Sequence, residues 1–121
     1  MKTKKVNVGI KSVEEVLNDA KDVLKKVAKN GKVKKEVGVY FSSFEAFRKA
    51  LTPKRLELLH TIKTDNPKSI NELARLAKRD IKNVADDVKY LEQIGLIEKR
   101  GGEKEIRPSI NYDKIALEIA I

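Results

Sequence analysis

Cysteine is absent from the chain, so it has neither a disulfide framework nor a thiolate centre. Tryptophan is also missing, and aromatic residues make up only 5%. The single histidine, His60, lies in an amphipathic stretch, where a lone histidine reads as a surface or boundary residue. There is no paired-histidine metal spacing and no glycine-rich phosphate loop. Asp86 and Asp87 are adjacent, so on a helix they point to different faces, unlike a general acid/base couple. No apolar run approaches the roughly 18 residues of a membrane span. The opening segment MKTKKVNVGIKS lacks the apolar centre of a signal peptide. These gaps predict a cytoplasmic protein that is not an enzyme, needs no cofactor and avoids membranes.

What the chain does have is positive charge. Its 121 residues include 27 Lys and Arg against 18 Asp and Glu, a net of +9 with a pI near 9.7. That balance favours an anionic partner, nucleic acid first and an anionic membrane second. Hydrophobic residues at 40% suffice for a core, while 37% charged residues imply a small core under a solvated surface. The first forty residues hold eleven lysines against five acids, which is +6 of the total +9.

Val6, Val8 and Ile10 alternate with Asn7 and Gly9, predicting a half-buried strand. Ser12 with Glu15 forms a capping box. Val13, Val16, Leu17, Ala20, Val23, Leu24, Val27 and Ala28 then draw one apolar helical stripe, ending before Gly31. Residues 33–41 read as extended. This β-α-β segment cannot bury its own helix stripe, so it must pack on the rest of the chain, a second copy or a partner protein. Ser42 with Glu45 predicts another capped helix carrying Phe44, Phe47 and Leu51. Thr52 and Pro53 start the next one, with Leu56, Leu59 and Ile62 as core face, Leu58 at its margin and Asp65-Asn66-Pro67 as terminator.

Residues 69–107 carry the chemistry. Ser69 with Glu72 opens a short helix whose core side is Ile70, Leu73, Leu76 and Ala77. Lys78, Arg79 and Asp80 lie where a turn is needed, with Asp80 placed to cap a longer helix over residues 81–94. That order is a helix-turn-helix. On the second helix Ile81, Val84, Val88 and Leu91 share one side; Lys82, Asp86, Lys89 and Gln93 fall opposite, flanked by Asn83 and Tyr90. Lys82 suits guanine O6/N7, Asn83 suits adenine and Asp86 suits the cytosine amine. Asp87, nearer the core side, is expected to pair with a local base. Residues 96–107 read as a hairpin with Gly101-Gly102 at its tip, where Arg100, Lys104 and Arg107 offer cations to the DNA backbone or minor groove. Ser69, Lys78 and Arg79 complete the candidate DNA contacts. Beyond Pro108, Ile115, Leu117, Ile119 and Ile121 alternate as a strand expected to join either the hairpin or the N-terminal strands, within the chain or across a dimer.

The stretches FSSFEAFRKALTPKRLELLHTI and SINELARLAKRDIKNVADDVKYLEQIGLIEKR resemble the predicted MarR-like winged-helix transcriptional regulators of archaea and bacteria. The similarity runs from about Val6 to the segment YDKIALEI. It is most specific at Leu51-Thr52-Pro53-x-Arg55-x-x-Leu58-Leu59 and Asp80-x-Lys82-Asn83-Val84-x-x-Asp87-Val88. The resemblance implies a winged-helix fold, double-stranded DNA binding and a homodimer, with Lys82-Asn83 at the start of the recognition helix.

The expected architecture is α+β: a winged helix-turn-helix over residues 42–110, a β-α-β dimerisation or partner-binding extension over 1–41 and a C-terminal strand over 111–121. The expected function is a dimeric, sequence-specific DNA-binding repressor. The alternative is an antitoxin-like interaction module whose N-terminal segment binds a partner protein, with autoregulatory DNA binding.

Overall fold

The computed structural model describes residues 4–11, 13–30, 38–101 and 106–119. In chain order they form β1 (Lys5–Ile10), α1 (Val13–Asn30), β2 (Gly38–Phe41), α2 (Phe44–Ala50), α3 (Pro53–Asp65), α4 (Ile70–Ala77), α5 (Ile81–Gln93), β3 (Glu98–Arg100), β4 (Arg107–Ser109) and β5 (Lys114–Ile119). The class is α+β, and the chain divides into two compact units. One comprises residues 5–50 and 114–119; the other comprises Lys4 and residues 51–113.

The first unit is a sheet in the order β2-β1-β5. Both ladders are parallel, with Val8 opposite Val39 on one side and Leu117 on the other. A parallel neighbour needs a long crossover, and α1 supplies it between β1 and β2. Alternation along the strands puts Val6, Val8, Val39 and Phe41 on one face, all buried. The other face is small and polar. There the Tyr40 ring lies so close that a Cβ on Gly9 would stand 2.9 Å from it, and the Lys11 ammonium lies 4.5 Å from the ring centre. Lys11 also pairs with Asp19 of α1 at 2.6 Å. Phe47 of α2 meets Phe41 edge-on, with centroids 5.8 Å apart.

Several expectations change here. The described part of β2 is residues 38–41; residues 33–37, Ser12 and Gly31 lie outside the described residues. The cap of α2 is Ser43, not Ser42, because the Ser43 hydroxyl accepts from the Ala46 amide at 3.1 Å. On α1, Leu17 and Leu24 are exposed, so of the three expected ways to cover the stripe the described residues of the chain itself do not supply the cover for these two.

The second unit wraps α3, α4 and α5 around Leu58, Ile62, Leu73, Val84, Val88, Leu91 and Leu96, each almost wholly buried. The helix starts follow the sequence signals: the side chains of Thr52, Ser69 and Asp80 accept from the amides of Arg55, Glu72 and Asn83. Asn66 ends α3 in the left-handed region at φ 47°, and Pro67 prevents continuation. Past α5, Gly95 turns at φ +90°, a conformation that costs glycine nothing. Tyr112 donates its hydroxyl to the Leu96 carbonyl at 2.7 Å, and burial pushes that hydroxyl up to about 12. Asp113 holds Lys63 at 3.2 Å and the Lys4 amide at the same distance.

Four core assignments differ. Leu58, expected at the margin, is buried, whereas Leu56 is half-exposed, as are Leu76 and Ile81. α3 turns toward its neighbours the face centred between Leu58 and Ile62, and Leu56 falls outside that arc. Leu56 and Leu76 line one shallow groove with His60. The hairpin also differs: Arg100 pairs with Arg107 in the antiparallel β3–β4 ladder. That register leaves six residues between the partners rather than the two of a Gly101-Gly102 turn, and residues 102–105 lie outside the described residues.

Candidate nucleic-acid interface

α5 buries Val84, Val88 and Leu91. Rotating 100° per residue from Val84 brings Lys82, Asp86, Lys89 and Gln93 to the opposite side, and all four are exposed. Asn83 is exposed beside them. The helix thus presents four donors, two ammonium and two carboxamide groups, and one carboxylate acceptor on a surface about one helix wide, the shape a major groove admits.

This helix is pinned from behind by one carboxylate. Asp87 accepts from Arg55 of α3 at 3.0 Å and from Arg79 of the turn at 2.8 Å. Burial alone would raise its pKa, but the two guanidinium hydrogen bonds outweigh burial and hold the carboxyl below its ordinary value. The expected local partner of Asp87 is therefore two arginines. The Arg55 guanidinium also stacks on Tyr90, 4.2 Å from the ring centre. Arg55 was not among the sequence candidates; it stands 32 residues from Asp87, and only the fold brings them together.

The turn between α4 and α5 is a cationic cleft lined by Asn71, Arg75, Lys78, Arg79 and Ile81. Lys78 sits in the left-handed region at φ 54° with its side chain exposed. Arg79 is only 20% exposed at its side chain and is engaged by Asp87. The Ser69 hydroxyl is occupied as the cap of α4. Arg75, exposed on the same cleft, is a further cation that apolar periodicity alone does not single out.

In the wing, Arg100 and Arg107 stand directly opposite each other on one face of the ladder. Like charges opposed across a ladder cost energy, and a phosphate between them would relieve that cost. Glu98 lies 3.7 Å from Arg100. On the other face Lys99 pairs with Glu92 of α5 at 3.0 Å, tying the wing to that helix. Lys104 lies outside the described residues. Among the described residues no cluster of three or more histidine or acidic side chains could hold a metal, and no helix is long and apolar enough to cross a membrane.

A short helix, a left-handed turn, a longer helix with an open face and a two-stranded wing define a winged helix-turn-helix, the fold that the MarR-like resemblance implies. The chain belongs to the HVO_A0114 family, whose model matches residues 50–117, more than half of its length. Similar solved structures include reduced HlyU from Vibrio cholerae, at 20% identity and TM-score 0.44 over 81% of this chain and 80% of that one. A MarR-like transcriptional regulator from Thermotoga maritima matches at 16% identity and TM-score 0.46, over 84% and 66%. A MarR family protein from Bacillus stearothermophilus matches at 17% and 0.46, over 84% and 67%. No curated protein matches the chain significantly.

Proposed function

We propose that the protein is a sequence-specific double-stranded DNA-binding transcriptional regulator that acts as a dimeric repressor. The observation that carries this reading is the outward side of α5: Lys82, Asn83, Asp86 and Lys89 are exposed there, while Asp87 secures the helix from the opposite side. Lys82 and Asn83 read base edges, Asp86 accepts from a cytosine amine, and Lys89 with Tyr90 borders the groove. Lys78, with Ser69 and Arg79 behind it, faces one phosphate strand, and Arg100 and Arg107 grip another from the wing. The β-α-β segment at residues 1–41 and the strand within 111–121 serve dimerisation, and two recognition helices then meet half-sites about 34 Å apart. In this reading the protein has no catalytic role.

Selection of bound fragments from random duplex DNA, followed by mobility-shift titration, tests the proposal. Lys82→Ala or Asn83→Ala should cost about 1–3 kcal/mol on the selected site and relax its preference. Arg100→Ala should weaken binding to all sequences and lower the salt slope by about one. Unchanged binding in all three variants would remove the mechanism. A second reading, a module whose N-terminal segment holds a partner protein, is favoured by the exposed Leu17 and Leu24 of α1. Stoichiometric co-purification with the product of a neighbouring small gene would favour it.

A further inference from the structure

We infer that the outer edge of β5 is where a second copy of the chain docks, antiparallel about a two-fold axis through Ala116, so that two three-stranded sheets join into one. The inference rests on the dimer reading above and names its surface. β5 closes the order β2-β1-β5, and among the described residues no strand pairs with its far side. Such an edge is a row of backbone donors and acceptors that invites another strand, and proteins usually blunt it with proline, a bulge or charged side chains. β5 has no proline and no bulge, and its two charges, Lys114 and Glu118, are of opposite sign. Its sequence is KIALEI, paired without interruption to β1 from Lys114 to Ile119. Leu117 is 40% exposed, a cost that burial in an interface would remove.

The charge pattern selects the occupant. With Ala116 facing Ala116 of the second copy, Lys114 lies opposite Glu118 and Glu118 opposite Lys114. On the other face Ile115 meets Leu117, twice. Directly opposed residues of an antiparallel pair share a face and their Cβ atoms approach closely. Sliding the strands by two residues in either direction separates both charge pairs, and sliding by one sets Lys114 against an aliphatic side chain on the wrong face. The five residues from Lys114 to Glu118 thus encode a single self-complementary register, as an isologous interface requires.

Sedimentation equilibrium of the full chain supplies the test. Lys114→Glu places acids opposite acids at both symmetric positions, and Glu118→Lys places bases opposite bases. Each should weaken dimerisation by about ten-fold or more, and the double variant, which reverses both pairs, should restore it. Dimerisation indifferent to the single changes, or not recovered in the double, overturns the β5 edge while leaving the dimer reading in place. A wild-type chain that stays monomeric at every concentration removes both and leaves the edge to a different partner. Hydrogen exchange on the wild type decides independently of any variant. The β5 amides should gain protection as concentration drives association, and unchanged protection in a dimeric sample overturns the inference.

Discussion

Asp87 is the residue whose loss should be felt most widely. It accepts from an arginine on α3 and an arginine in the turn, so one carboxylate sets both the tilt of α5 and the shape of the cationic cleft. Asp87→Ala leaves two partly buried guanidinium groups facing each other and should destabilise the winged unit by about 2–3 kcal/mol. Asp87→Asn keeps the shape but forfeits the charge. The folded-state pKa of Asp87 lies below the ordinary 3.8. Its contribution is therefore complete above that value and is lost as pH falls through the lower, folded one. Urea unfolding across that acid window should show a steeper loss in the wild type than in Asp87→Asn; parallel curves would count against the pairing.

Among elements, the turn joining α4 to α5 carries a measurable tension between stability and binding. Lys78 holds φ 54°, a region that disfavours side chains and suits glycine. Lys78→Gly should raise the midpoint of thermal unfolding, by up to about 1 kcal/mol in stability, while weakening DNA binding through the lost cation. A variant that is less stable, or that binds undiminished, contradicts one half of that statement. The same elements show what the sequence discloses. Thr52, Ser69 and Asp80 were legible as caps because capping is chemistry within four residues. Adjacent serines were not distinguishable: Ser42 and Ser43 offer the same hydroxyl, and the entry path of the chain selects Ser43. Leu56 and Leu58 exchanged roles because a helix with apolar residues on several sides takes its buried face from its neighbours. That Lys82, Asn83 and Asp86 face outward was readable from period alone, whereas the place of Arg55 was not, since its link to Asp87 and Tyr90 is tertiary.

At the scale of the molecule, two units with separate cores share one chain, and each core should answer for its own stability. Val8 is wholly buried in the sheet unit. Val8→Ala should cost about 1–3 kcal/mol there and accelerate exchange of the amides of β1, β2 and β5. The amides of α3, α4 and α5 should keep wild-type protection. Uniform acceleration across both units would mean that they unfold as one. The charge excess of residues 1–40 belongs mostly to the sheet unit, so it adds a sequence-independent pull toward polyanions to whatever the winged unit reads.

Lys5 pairs with Lys114, residues separated by almost the whole described chain. Synthesis proceeds from the N-terminus, so α3, α4, α5 and the wing emerge before the strand that flanks β1. In chain order the helices and wing are therefore inserted between β2 and β5, and nascent chains must carry one edge of β1 bare until translation has passed them. Closing so long a loop is slow, and chaperones and ribosome-associated factors have that interval in which to act.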